Sequence, residues 1–296
     1  MTLPSFLIVG AMKAGTTTLF EDLATHPDVF PPEDKEPGNL NQDAVLSPDG
    51  RAAYERCFRR CPASKVTFEA STYYTMLQEY RGAPQRAQSL LGRDLKVVYI
   101  VREPVARTIS HHRHMMDSNE IGPDINQAVR DDSRLIGYSR YLHQIEPWLD
   151  VFGQQQVMLV HFESYIADRV SVVEAVQAFL GFQPRGDLVL TGFAANKSQG
   201  KLVDTRLSRS LSSSGLYRNL IRPILPSRLK NRAKQLVARR STASPTQISP
   251  ETVDMILEQT SRDVSGIASM VYPELEPGTL PWKAEDARAR ALGDRG

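Results

Sequence analysis

The segment Phe6-Leu-Ile-Val-Gly-Ala-Met-Lys-Ala-Gly-Thr-Thr-Thr-Leu19 constrains the fold of this chain more than any other. Phe6 to Val9 are consecutive apolar residues, the pattern of a short strand buried on both faces. Gly10 and Gly15 bracket a tight loop that contains Lys13. Thr16, Thr17 and Thr18 then open a helix that continues through Leu19, Phe20 and Leu23. A strand, a glycine loop and a helix N-terminus together form an anion cradle. Backbone N–H groups converge on the loop, and the positive end of the helix dipole faces the anion.

The spacing of Gly10 and Gly15 is that of the nucleotide-triphosphatase loop G-x-x-x-x-G-K-[ST], but Thr16 and Thr17 stand where that loop has its lysine and its Mg²⁺-binding hydroxyl. The lysine has moved inside the loop. Such a loop suits a single 5′-phosphate, with Lys13 beside a group departing from it. A second anion site follows a second strand. Leu95-Lys-Val-Val-Tyr-Ile-Val101 is apolar and β-branched almost throughout, and Arg102-Glu-Pro-Val-Ala-Arg-Thr-Ile-Ser110 comes directly after it. Pro104 suits a first helical position. Arg102 leaves the strand end pointing into the ligand crevice of an open α/β sheet, and its guanidinium fork suits a phosphate. About 9 Å of helix rise separates Pro104 from Ser110, so Arg102 and Ser110 can reach one phosphate.

These two motifs resemble the 5′-phosphosulfate loop and the 3′-phosphate motif, Arg-x-Pro-x-x-Arg-x-x-Ser, of sulfotransferases that use 3′-phosphoadenosine 5′-phosphosulfate (PAPS). The likeness is to the carbohydrate branch that includes the heparan sulfate sulfotransferases. It implies an α/β fold: a central parallel sheet flanked by helices on both faces, like a P-loop nucleotide kinase in outline. It also implies transfer of a sulfuryl group from PAPS to a hydroxyl or amine acceptor, a glycan or a small metabolite, leaving 3′-phosphoadenosine 5′-phosphate. Sulfuryl carries less charge than phosphoryl and has less need of a metal, so none is expected. On this resemblance Lys13, Ala14, Gly15, Thr16, Thr17 and Thr18 hold the 5′-phosphate, with Lys13 also catalytic, and Arg102 and Ser110 hold the 3′-phosphate.

The resemblance assigns further residues. Lys35-Glu36 matches the Lys-Glu pair that begins the acceptor segment, with Glu36 as general base. The aromatic pair that often follows is replaced by Gly38-Asn39-Leu40, and on charge pattern alone Glu36 is one member of the solvated run Glu33–Glu36. Lys65 to Ala70 reads as a strand, and Glu69, Ser71 and Tyr73 or Tyr74 match the segment Gly-Glu-Lys-Ser-Pro-x-Tyr, with Ala70 and Thr72 in place of its lysine and proline. Glu69 is the second candidate for the base, and Lys35, Glu69, Tyr73 and His111 are candidate acceptor contacts. Asn196-Lys-Ser-Gln-Gly-Lys201 resembles the late loop that closes over the cofactor, with Lys197, Gly200 and Lys201 as candidate ligands. Two other classes stay open on the sequence. One is a P-loop kinase, which needs Mg²⁺ ligands. The other is a non-catalytic module binding a nucleotide or an anionic glycan.

The rest of the chain reads as one domain over 1–283. His111, His112 and His114 form a polar helix face without a completing carboxylate for a metal, and Cys57 and Cys61 are two reduced thiols one helical turn apart. Tyr141, Leu142, Ile145, Trp148, Leu149 and Phe152 have helical spacing and mark core. Val157 to Phe162 is a further strand, followed by a helix from about Val170 to Leu180 with Gly181 as its cap. Residues 206–245 form a basic helical subregion that could meet an anionic glycan, a membrane surface or a partner. Pro250 opens a long helix, and 284–296 is expected to be a mobile tail. A net charge of +2 gives no case for nucleic acid. No apolar run has the length of a membrane span and no leader is legible, which points to a cytoplasmic, bacterial enzyme. Oligomeric state is not legible.

Overall fold

The computed structural model describes residues 3–189, 246–273 and 279–293, together with the backbone of 202–203 and 239–240. Its centre is β1 (Phe6–Gly10), buried along its whole length. Parallel neighbours lie on both sides: β3 (Val66–Ala70), with Leu7 opposite Glu69, and β4 (Lys96–Val101), with Leu7 opposite Val97. A strand paired on both edges and covered on both faces has no position for water, which is why its apolar run is unbroken. β2 (Val29–Phe30) lies beyond β3, and β5 (Val157–His161) lies beyond β4. The short β6 (Leu202–Val203) and β7 (Arg239–Arg240) pair antiparallel with each other in a separate sheet. β8 (Val271–Tyr272) completes the main sheet beside β5, giving the order β2-β3-β1-β4-β5-β8 with every pairing parallel.

The helices surround this sheet. They are α1 (Thr16–Ala24), α2 (Pro48–Arg56), α3 (Ala83–Leu91), α4 (Pro104–Asp117), α5 (Ile125–Asp131), α6 (Arg134–Gly137), α7 (Tyr141–Phe152), α8 (Phe162–Ala167), α9 (Arg169–Phe179), α10 (Pro250–Ile267) and α11 (Ala284–Leu292). The chain runs from β1 outward to β2, returns through β3, and only then crosses β1 to β4. The sheet therefore reverses its order at the β1–β4 boundary, where open α/β sheets form a crevice beyond the strand ends. The Ala11 N–H donates to the Ile100 carbonyl at 2.7 Å, so the two strand ends stay together as they leave the sheet.

Side-chain chemistry fixes the helices around that boundary. Asp22 of α1 is fully buried and is held by the guanidinium of Arg169 at 2.7 Å and by the Tyr165 hydroxyl, which ties the loop helix to α8 and α9. Glu103 caps α4, accepting the N–H groups of Val105 and Ala106 at 2.7 Å each, with Pro104 at the first helical position. The α7 stripe is core as its spacing predicts: Tyr141, Ile145, Trp148 and Phe152 are buried. A second apolar cluster joins Val105 and Met115 of α4 to Ile125, Leu135 and Val253.

Several expectations meet a different arrangement. The stretch from Val29 to Gly50, rich in Pro, Asp, Glu and Asn, contains β2, 3₁₀ turns at Asn39–Asn41 and Asp43–Leu46, and the start of α2. From Ala284 to Leu292 the expected tail is helical; Ala287 is buried, and Arg288 pairs with Asp254 of α10. The basic stretch 206–240 lies outside the described residues apart from the backbone of Arg239 and Arg240. No described helix is long and apolar enough to cross a membrane.

The histidine-rich helix is also not a polar face. His111 and His112 are buried. The His111 ring stacks on Tyr138 with centroids 5.3 Å apart, and its Nδ1 lies 3.4 Å from the guanidinium of Arg107. Burial, reinforced by the charges of Arg107, His114, Arg134 and Lys13, pushes the His111 imidazole down to about 2. The ring is neutral when folded and protonates readily when unfolded, so the unfolded state binds the extra proton between the two pKa values. Stability should therefore fall as pH drops below about 6.5, with His111 contributing about 1.4 kcal/mol per pH unit. Urea unfolding of His111→Phe, which keeps a ring against Tyr138, should show a shallower acid dependence than wild type; an unchanged slope would contradict this account.

Candidate functional site

The loop after β1 is shaped by close contacts. A Cβ on Gly10 would stand 2.3 Å from the Thr75 hydroxyl and 2.9 Å from the Tyr99 ring. One on Gly15 would stand 2.7 Å from the Phe162 ring, and Gly15 has a φ of +95° besides. Both positions need glycine. Lys13 itself is left-handed, with φ of +68°. Gly15 occupies the N-cap of α1 and has no side chain to satisfy the first N–H groups of the helix. The helix dipole and those amides thus face the crevice uncapped, as an anion site requires. Ala14 and the side chains of Thr16 and Thr18 are buried around them, and Thr17 is half-buried.

Arg102 emerges from the end of β4 and joins the two predicted motifs. Its Nη1 donates to the Lys13 carbonyl at 3.0 Å, and its guanidinium lies 4.8 Å from the centre of the Phe162 ring. Phe162 therefore packs against Gly15 and Arg102 at once, a role that nothing in the sequence reading identified. Tyr141 fixes the Arg102 backbone, donating its hydroxyl to the Arg102 carbonyl and accepting the Arg102 N–H at 3.3 Å. Among the described residues the buried Arg102 Nε has no hydrogen-bond partner. An unpaired buried donor on a cation is costly, and a phosphate oxygen would satisfy it. Ser110 lies half-buried in the second turn of α4. One turn before it, Arg107 is fully buried and bound to Ser139 and the Leu135 carbonyl. Among the described residues no carboxylate pairs with Arg107, so its charge adds to the positive potential behind the crevice.

Lys35 and Glu36 reach the same place from the other side. The Lys35 ammonium lies 2.7 Å from the Glu36 carboxylate and 3.4 Å from the Thr16 hydroxyl. The pair is partly open to solvent, with side chains 19% and 31% exposed. Glu36 is thus joined through Lys35 to the helix that follows the glycine loop, rather than being one charge in a solvated run.

Of the other candidates, Tyr73 stands beside the Lys35–Gly38 segment, where a Cβ on Gly38 would lie 3.6 Å from its ring, and Glu69 and His111 are enclosed. Glu69 is fully buried and accepts the hydroxyls of Tyr54 at 2.7 Å, Ser71 at 2.6 Å and Tyr74. Burial pushes its carboxyl up, opposed by those hydrogen bonds and one from the Gly38 backbone. It has no open face toward an acceptor. Tyr73 is 38% exposed, packs edge-on against Tyr80, and feels the charge of Glu36, which with burial pushes its phenol up. His111 is enclosed by α4, Arg107 and Tyr138, away from solvent. Lys197, Gly200 and Lys201 lie outside the described residues. Among the described residues no three His, Cys, Asp or Glu side chains group as metal ligands.

Comparisons with known proteins agree with this fold. The chain is 30% identical over 193 residues to mouse heparan sulfate glucosamine 3-O-sulfotransferase 3B1, a match covering 61% of this chain and 47% of the relative. It is 27% identical over 205 residues to human bifunctional heparan sulfate N-deacetylase/N-sulfotransferase 3, covering 62% of this chain and 23% of that protein. The chain spans about half or less of the length of these relatives. In fold it is similar to a sulfotransferase from Alicyclobacillus acidocaldarius, with a TM-score of 0.62 at 22% identity over 93% of this chain and 98% of that one. The sulfotransferase domain profile matches residues 3–205, which include β1, the phosphate loop, the Lys35–Glu36 segment and Arg102, and the chain belongs to the sulfotransferase domain family.

Proposed function

We propose that this chain transfers a sulfuryl group from PAPS to a hydroxyl or amine acceptor. The observation that carries the reading is the contact of Arg102 with the Lys13 carbonyl, which sets two anion motifs nearly ninety residues apart in sequence at one crevice. A ligand with phosphates at both the 5′ and 3′ positions accounts for both motifs. The uncapped N-terminus of α1 and the unpartnered Arg102 Nε support its fit. Lys13 and the residues Ala14 to Thr18 hold the 5′-phosphate. Arg102 and Ser110 hold the 3′-phosphate. PAPS supplies the activated sulfuryl group.

The chain's own groups do the rest. Glu36 takes the proton from the acceptor as the acceptor oxygen or nitrogen bonds to sulfur and the sulfur–oxygen bond to the 5′-phosphate breaks. Lys13 and the loop amides stabilise the charge that builds on the departing phosphate oxygen, a form of stabilisation worth about 3 kcal/mol per donor. Lys35 orients the Glu36 carboxylate through their ion pair and links it to Thr16. The base is Glu36 rather than Glu69, because Glu36 has a carboxylate partly open to solvent while Glu69 is enclosed. For the acceptor, the names of the relatives support a glycan, and we propose that class first.

Two measurements test this reading. Sulfuryl transfer from ³⁵S-labelled PAPS should be assayed across a panel of glycans, phenols and amines. With any acceptor that turns over, Glu36→Gln should lower kcat by about 10²–10⁴-fold while its affinity for 3′-phosphoadenosine 5′-phosphate stays unchanged; a fully active Glu36→Gln would move the base elsewhere. By calorimetry, Arg102→Ala should weaken the bisphosphate by about 10- to 100-fold and leave adenosine 5′-phosphate within about threefold. Equal losses for both nucleotides would remove Arg102 from the 3′-phosphate.

A further inference from the structure

We infer that Glu69, acting through Tyr74, is the positioning residue for the segment Lys35–Leu40 and so for the Glu36 carboxylate. The inference rests on Glu36 being the base. Residues 31–38 belong to no helix or strand, so no backbone ladder of their own fixes where Glu36 stands. The end of β3 does this instead. The Ala70 N–H donates to the Lys35 carbonyl at 3.1 Å, one residue before Glu36. Two residues after it, Gly38 is the N-cap of the 3₁₀ turn Asn39–Asn41. Two further on, the Leu40 N–H donates to the Tyr74 hydroxyl at 3.2 Å, and that hydroxyl donates in turn to Glu69. Arg86 of α3 holds the Leu40 carbonyl from the opposite side.

An ionised carboxylate only accepts hydrogen bonds and has about four lone-pair sites. Tyr54, Ser71 and Tyr74 supply hydroxyl donors to them. The Tyr74 hydroxyl can therefore point its proton only at Glu69 and must present a lone pair to Leu40. This fixes the direction of the relay as well as its length. The ring of Tyr74 is itself held in place, buried near Trp148, whose Nε1 donates to the Tyr74 carbonyl at 3.2 Å. Removing the hydroxyl alone would thus release Leu40 without moving the ring.

Two variants separate positioning from plain stability. Tyr74→Phe removes a donor from Glu69 and also the acceptor for Leu40. Tyr54→Phe removes a donor from the same carboxylate but does not touch the segment. Hydrogen exchange of the full chain saturated with 3′-phosphoadenosine 5′-phosphate should show faster exchange across 36–40 in Tyr74→Phe and not in Tyr54→Phe. With an acceptor that turns over, Tyr74→Phe should lose about 10- to 100-fold in kcat, as misplacing a reacting group does, with bisphosphate affinity unchanged; Tyr54→Phe should stay within about threefold. Matched behaviour of the two variants in exchange or in kcat would overturn the inference. The base reading fails separately: a fully active Glu36→Gln strikes at the base, whereas an inactive Glu36→Gln beside a fully active Tyr74→Phe strikes at the relay alone.

Discussion

The parallel pairing of β1 with β4 is the constraint on which the site depends. Each strand ends in an anion motif, and the hydrogen bond from Ala11 to Ile100 keeps the two ends together beyond the sheet. From there Arg102 needs only its own side chain to reach the Lys13 carbonyl. The pairing holds because β1 throughout and β4 beyond Lys96 are apolar and buried on both faces, so sliding one strand along the other would push apolar residues out of the sheet. Sequence, sheet and site form one chain of causes here: the apolar runs choose the neighbours, and the neighbours bring Arg102 to the glycine loop.

A second layer of buried polar groups holds this arrangement. Asp22 fastens α1 to α8 and α9. Glu163 accepts the Glu103 N–H at 3.0 Å and the Trp282 indole N–H at 2.9 Å, which ties the start of α4 to the end of the described chain. Glu69 gathers hydroxyls from α2 and from the turn after β3. Each of these carboxylates is buried or half-buried and satisfied by several donors, the condition under which a polar interior gives rigidity rather than cost.

The parts legible in the sequence were those with a local signature. A run of apolar residues followed by glycines, or by an arginine and a proline, carries its meaning within ten residues, so β1, β4, the loop and the start of α4 at Pro104 could be read directly. What the sequence left unread is made by contact across the fold. Phe162 is one aromatic residue after an apolar strand, and only the structure sets it between Gly15 and Arg102. Its place at the carboxyl end of β5 was the one available signal. Glu69 stands at a strand end too, which suggested the crevice, but its partners Tyr54 and Tyr74 come from other elements and close it off. The histidines of α4 looked polar by composition; Arg107 and Tyr138 enclose His111, and His112 is buried against the Gly122 carbonyl, while His114 stays half-buried.

The most direct test of the account is a ³¹P NMR titration of the wild-type chain with 3′-phosphoadenosine 5′-phosphate. A single nucleotide held by both motifs requires the 5′ and 3′ phosphorus resonances to shift together and saturate at one equivalent. A shift confined to one resonance, or two shifts that saturate at different concentrations, would mean that the two motifs do not share a ligand.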